Sequence, residues 1–236
     1  MPKKSKQLML RIMWAVPLIA VGVWAFSWGG YWWGMFLIIL AIPMNGEVIY
    51  QRVTCHDRTA GWLWHCLLLV FCGNLGFWVM FQLRHTKQGT ALIFIGAVMV
   101  IFFDTFSLLS GWVLARNGGH KITRESPNKT WEGLIGGTLL SMAAGIYTLQ
   151  QVEHRYTVIS INRTAMYLLL LILPVVAFFG DLNESMAKRR LFKNRRSPKS
   201  IKDFSQLLGP HGGLCDRFDA MTAVFATVGL VWLWLV

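Results

Sequence analysis

Thr164-Ala-Met-Tyr-Leu-Leu-Leu-Leu-Ile-Leu-Pro-Val-Val-Ala-Phe-Phe-Gly180 runs without a break into Asp181-Leu-Asn-Glu-Ser-Met-Ala-Lys188. A helix needs roughly 20 mainly apolar residues to cross the hydrocarbon of a bilayer, and the first part of this stretch comes close. Inside lipid a backbone satisfies its own N–H and C=O groups only as a helix or a closed barrel, so the run reads as a membrane helix. Its polar continuation sets Asp181, Glu184, Ser185 and Lys188 on one face, provided the helix goes on past the membrane. Acid and base on one face are ordinarily just a solvated surface. Directly after an apolar span, the same carboxylates are also suitable oxygen ligands for a hard cation such as magnesium.

Six further segments resemble this one in length and apolarity: Leu8 to Phe26, Tyr31 to Val48, Gly61 to Phe81, Thr90 to Ala115, Trp131 to Leu149 and Ala220 to Val236. The expected fold is therefore all-α, a polytopic membrane bundle of about seven transmembrane helices in a single domain, residues 1–236. Composition agrees, with 55% hydrophobic and 14% charged residues and a mean hydropathy of +0.47. So few charges among such long apolar runs exclude an ordinary water-soluble core.

The net charge of +12 points to a membrane surface rather than to nucleic acid once the positions are considered. Of the 23 lysines and arginines, all but Arg84, Lys87, Arg155 and Arg163 fall on the side that holds the N-terminus. Basic loops stay in the cytosol, so the N-terminus is expected to be cytosolic, together with the polar stretches after the second, fourth and sixth segments. In a bacterium that membrane would be the cytoplasmic one. Met-Pro-Lys-Lys-Ser-Lys and the run behind it are expected to be a retained helix, since the run is long for a signal peptide and lacks a convincing cleavage site. Trp24, Trp28, Trp32, Trp33, Trp232 and Trp234 suit an interfacial aromatic belt. Cys55, Cys66, Cys72 and Cys215 show no metal-binding spacing and read as small hydrophobes, without disulfides.

Asp104 lies inside the fourth apolar run, about 20 Å along a helix that rises ~1.5 Å per residue. A carboxylate at that depth is costly unless it faces a polar cavity or a cation, although a helix-packing hydrogen bond is the plainer explanation. In the next loop, Ser126-Pro127 is a reasonable helix start with Lys129 beside it, an arrangement that serves either as a simple cap or as an anion site. His211-Gly-Gly-Leu-Cys-Asp-Arg-Phe-Asp219 opens the last helix. Its glycines permit close backbone approach, and Asp216 and Asp219 share a face.

His211-Gly-Gly-x-x-Asp-Arg-x-Asp219, preceded by Lys202-Asp and by Ser185-x-x-Lys-Arg189, resembles the signature of the CDP-diacylglycerol synthases, or phosphatidate cytidylyltransferases. Ser126-Pro-x-Lys-Thr-Trp-Glu-Gly133 is similar to a second block of that family, and Asp104-Thr to its intramembrane acid. The blocks come in the family's order between about residues 100 and 223. Between them stands a longer basic segment, Arg190 to Ile201, than the family has. The resemblance implies transfer of a cytidylyl group from CTP to phosphatidic acid, giving CDP-diacylglycerol and pyrophosphate for phospholipid synthesis. It implies magnesium, with a second monovalent or divalent cation as an option, a cytosol-facing site among membrane lipids, and commonly a homodimer.

Carried over by that resemblance, Asp181, Asp216 and Asp219 hold metal and, with Lys202 and His211, form the catalytic set. Ser126, Lys129, Ser185, Lys188, Arg189, Arg217 and Asp104 bind or orient substrate. Two other readings remain open: a CTP-dependent enzyme acting on a polyisoprenoid or another lipid phosphate, and a non-catalytic membrane paralogue.

Overall fold

The structure, a computed structural model, describes residues 3–54, 60–114, 119–123, 129–155, 162–192 and 213–235. These form seven α-helices: α1 Lys3–Trp28, α2 Gly30–Thr54, α3 Ala60–Leu83, α4 Lys87–Leu114, α5 Trp131–Arg155, α6 Arg163–Phe192 and α7 Cys215–Leu235. Each expected apolar segment, as far as it is described, is helical; Ala115 and Val236 lie outside the described residues. Four stretches, Gly30–Gln51, Leu63–Leu83, Lys87–Leu114 and Arg163–Lys188, are long and apolar enough to cross a membrane, which makes this an integral membrane protein. Apolar positions such as Leu108, Trp112, Leu139 and Leu230 are left exposed on the outside of the bundle. Pro17, Pro43 and Pro174 lie inside helices, a placement that membrane helices tolerate because neighbouring groups satisfy the freed carbonyls.

Local polar groups settle the helix ends where hydropathy is silent. Thr86 caps α4 by accepting the Gly89 amide at 2.9 Å, and Asn162 caps α6 by accepting the Thr164 amide at 3.1 Å. Side-chain oxygens of this kind satisfy donors that have no partner within the helix. The turn between α1 and α2 bends through Gly29 and Gly30, at φ of 65° and 48°, a backbone region that favours glycine. Arg84, from the turn between α3 and α4, donates to the Phe26 carbonyl at 3.0 Å and sits 4.7 Å over the Phe26 ring. These two turns therefore share one end of the bundle. Trp24, Trp28 and Trp32 are exposed there, as a belt requires, but Trp33 is 7% exposed and donates to the Met80 carbonyl at 3.2 Å. It is a packing residue, because it points inward between α1 and α3.

Around α7 the helices come close. A Cβ on Gly76 of α3 would meet the Thr222 carbonyl oxygen at 2.4 Å, and one on Gly180 of α6 would meet the Asp219 carbonyl oxygen at 2.9 Å. Neither backbone atom can move aside, so both positions require glycine for this approach. The two contacts draw α3 and α6 against the first half of α7. Cys66 and Cys215 are buried small side chains.

Candidate active site

At the end of the bundle opposite Gly29, the C-terminal parts of α2 and α6 meet the N-terminal parts of α3 and α7. Helix α6 does continue past Gly180, through to Phe192, and carries Asp181, Glu184, Ser185 and Lys188 into this region. Asn183 on the same turns reaches α3, where its Oδ1 lies 2.5 Å from His65 Nδ1 and its Nδ2 donates to the His65 carbonyl at 3.3 Å. That pair fixes the rotation of α6 about its axis.

Carboxylate oxygens of Asp181, Glu184 and Asp219 all lie within 4.8 Å of one another. Glu184 and Asp219 are buried, at 2% and 7% exposure, whereas Asp181 is half-buried. Two ammonium groups serve the surrounding acids. Lys129 donates to Asp181 and stands 5.1 Å over the Phe178 ring, while Lys188 Nζ lies 2.6 Å from Glu184 and 2.8 Å from Asp216. Asp216 also accepts the Gly213 amide at 2.7 Å. No ion pair joins Asp219 to a lysine or arginine among the described residues.

Lys129 is held in register by its own loop. Ile122 donates to the Lys129 carbonyl at 3.0 Å and Trp131 to the His120 carbonyl at 2.9 Å, forming an antiparallel bridge between Lys121 and Thr130. Glu132 ties the other side, accepting the His120 amide at 3.1 Å. Asp104 presents an open face on α4 yet lies within electrostatic reach of Asp181, Lys129 and Arg217. Arg217 is exposed in the first turn of α7 and Ser185 is half-buried on α6. Ser126, Lys202 and His211 lie outside the described residues, and so does the side chain of Arg189.

The structure thus brings together Asp181, Asp219, Asp216, Lys129 and Lys188 from three distant parts of the chain. It adds Glu184 as the third member of the carboxylate group that lies within 4.8 Å, with Asp216 beside it and tied to Lys188. The three-residue step from Asp181 was the available sign of Glu184. Glu47 of α2 was missed: it is 7% exposed and accepts the Leu214 and Cys215 amides at 2.9 Å each. An acid inside an apolar run, the same sign that singles out Asp104, would have found it.

Three hard carboxylate donors at this spacing, two of them buried and one without an ion-pair partner among the described residues, suit a small divalent ion. Magnesium takes one or two carboxylates and completes its shell with water and substrate phosphates. Soft donors are not part of the group, so its chemistry fits an oxygen-seeking cation. The ammonium groups beside it are of the kind that can also bind phosphate as point charges.

Fold and site together define a helical membrane protein with a cluster of carboxylates and lysines at one end of the bundle. The chain belongs to the cytidylyltransferase family, whose family model matches residues 2–235. It is 28% identical to the phosphatidate cytidylyltransferase of Brucella abortus biovar 1 (strain 9-941), across 94% of this chain and 92% of that protein. It is 26% identical to the phosphatidate cytidylyltransferase of Haemophilus influenzae (strain ATCC 51907 / DSM 11121 / KW20 / Rd), across 81% and 62% respectively. The Staphylococcus haemolyticus (strain JCSC1435) protein of the same name is 30% identical, across 70% and 57%.

Proposed function

We propose that this chain transfers the cytidylyl group of CTP to phosphatidic acid, giving CDP-diacylglycerol and pyrophosphate. The observation that carries this reading is the meeting of Asp181, Glu184 and Asp219 with Lys129 and Lys188 at the ends of apolar helices, in a chain of the cytidylyltransferase family. The names of its relatives supply the lipid acceptor.

In the proposed reaction an ionised oxygen of the lipid phosphate attacks the α-phosphorus of CTP. The bond from that phosphorus to the oxygen bridging to the β-phosphate breaks, and pyrophosphate leaves with the electron pair. The attacking group arrives ionised on the lipid, so no protein nucleophile is needed, and the protein's task is placement and charge compensation. Asp181, Glu184 and Asp219 would hold magnesium, with Asp216 adjoining them. Bound there, magnesium supplies positive charge against the triphosphate oxygens. Lys129 and Lys188 would exchange their carboxylate partners for phosphate oxygens, because a triphosphate brings more negative charge to each ammonium than one carboxylate does. Ser126, Ser185, Arg189, Lys202, His211 and Arg217 would complete the phosphate contacts, as the family resemblance implies, with Asp104 orienting substrate from α4.

The deciding experiment is CTP-dependent pyrophosphate release by the purified protein in liposomes containing phosphatidic acid. Release is expected with magnesium, and its loss on chelation with EDTA should be reversed by magnesium in excess. Release only with a polyprenyl phosphate would move the assignment to another lipid acceptor, and none with any lipid phosphate would remove the enzymatic reading.

We place all seven helices across the membrane, with the carboxylate end on the cytosolic side, in the inner membrane if the source is bacterial. The asymmetry of basic residues supports that orientation. A single cysteine introduced at Lys193, in a chain stripped of its native cysteines, should react with an impermeant maleimide only when the cytosolic face is open. Reaction in intact cells would invert the topology.

A further inference from the structure

Helix α2 reaches the site through the side chain of Glu47. Glu47 lies inside its apolar stretch Gly30–Gln51 and is buried at 7% exposure. Its Oε1 accepts the Leu214 amide and its Oε2 the Cys215 amide, both at 2.9 Å. A Cβ on Gly213 would lie 2.5 Å from Oε2, so the backbone leading into α7 is pressed directly onto the carboxylate.

The amides opening a helix have no partner within it, and the helix dipole favours negative charge there. Here three consecutive amides are shared between two acids, Gly213 to Asp216 and Leu214 and Cys215 to Glu47. Asp216 caps its own helix and, through Lys188, ties it to α6. Glu47 reaches across from α2 and engages two neighbouring amides with two oxygens, which defines both the depth and the rotation of the first turn of α7. One turn further on that helix, Asp219 meets Asp181 and Glu184.

We infer that Glu47 is a positioning residue: by clamping the entry of α7 from α2, it sets Asp219 at the distance from Asp181 and Glu184 at which the three can share a cation. The inference rests on the cation-binding reading of those three acids. A glutamine at this position would keep one acceptor oxygen and turn an NH2 group towards the other amide, so a single donor–donor clash would loosen the clamp. Glutamate is therefore required for the double acceptance, despite the cost of an acid within an apolar span.

The test uses the full-length protein in detergent, with Mn2+ as the probe of the divalent site, followed by electron paramagnetic resonance. Glu47→Gln should weaken Mn2+ binding by about 10- to 100-fold, the range found when groups that orient metal ligands are removed. Its pyrophosphate release should fall at low magnesium and recover at high magnesium, with kcat regained and the apparent KM for magnesium raised. A residue needed only for folding would lower the melting temperature without this magnesium-dependent recovery. Glu47→Asp keeps the charge and withdraws the carboxylate by one methylene; it should also bind Mn2+ more weakly, and it serves where Glu47→Gln does not fold. Wild-type Mn2+ affinity in either folded variant overturns the inference alone. A wild-type protein that binds no Mn2+ overturns both the inference and the cation site beneath it.

Discussion

Asp219→Asn is expected to cut CTP-dependent pyrophosphate release by on the order of 1000-fold, comparable with the loss of a group that stabilises charge in a transition state. Asparagine keeps the shape of the side chain and removes its charge. At 7% exposure, Asp219 sits with Asp181 and Glu184 inside 4.8 Å, so it adds to a concentration of negative charge that Lys129 and Lys188 offset in part and a bound cation would offset further. Removing one of these charges should therefore hold or raise the thermal stability of the metal-free protein while activity collapses. A stability screen in detergent alongside the assay separates this from misfolding, which lowers both. Asp181→Asn should also abolish most turnover, although Asp181 is half-buried and already paired with Lys129. Activity of Asp219→Asn within about tenfold of wild type, less than the loss of many groups that only orient a ligand, would remove Asp219 from the cation site.

Lys188→Met should have the largest effect on stability. The ammonium lies between Glu184 and Asp216, whose side chains are 2% and 5% exposed, and so joins α6 to the start of α7. Stripping the cation from a buried pair leaves uncompensated charge and costs about 3–5 kcal/mol. A bilayer or detergent unfolding measurement should show a loss of that order. Two further variants locate the cause. Lys188→Met combined with Glu184→Gln should recover much of the loss, because the two groups act as a unit and their effects do not add. Lys188→Arg should retain stability better than methionine but bind phosphate differently, since a planar guanidinium does not replace a compact ammonium. If Lys188→Met unfolds like wild type, the bridge does not hold the two helices together.

Helix number was legible because hydrocarbon imposes it: a run such as Thr164 to Gly180 has no other way to satisfy its backbone. Helix ends were less so, because they depend on single hydrogen bonds. Helix α6 runs on from Gly180 to Phe192 and α5 reaches Arg155, each longer than its apolar core. Trp33 reads as a member of the aromatic belt from its neighbours, yet its indole turns inward to Met80; the direction of one side chain on a crowded helix is set by what packs against it.

The acids show the same division at the site. Asp181, Asp216, Asp219, Lys129 and Lys188 could be singled out from local motifs, and the structure gathers them. That Glu184 joins Asp181 and Asp219 in one carboxylate group, and that Asp216 faces Lys188, follows from the rotation of α6 against α7, which His65 and Gly180 help to set.

By itself the amino-acid sequence determined that this chain is helical and lives in a membrane, and which of its side chains could bind cation and phosphate. Apolar length and local residue chemistry suffice for that. Only the tertiary structure decided which of those side chains share a space, and that Glu47 from a distant helix holds the entrance of α7. Such contacts depend on helix rotation and depth to within an ångström, and those come from close packing between segments rather than from any pattern along one of them.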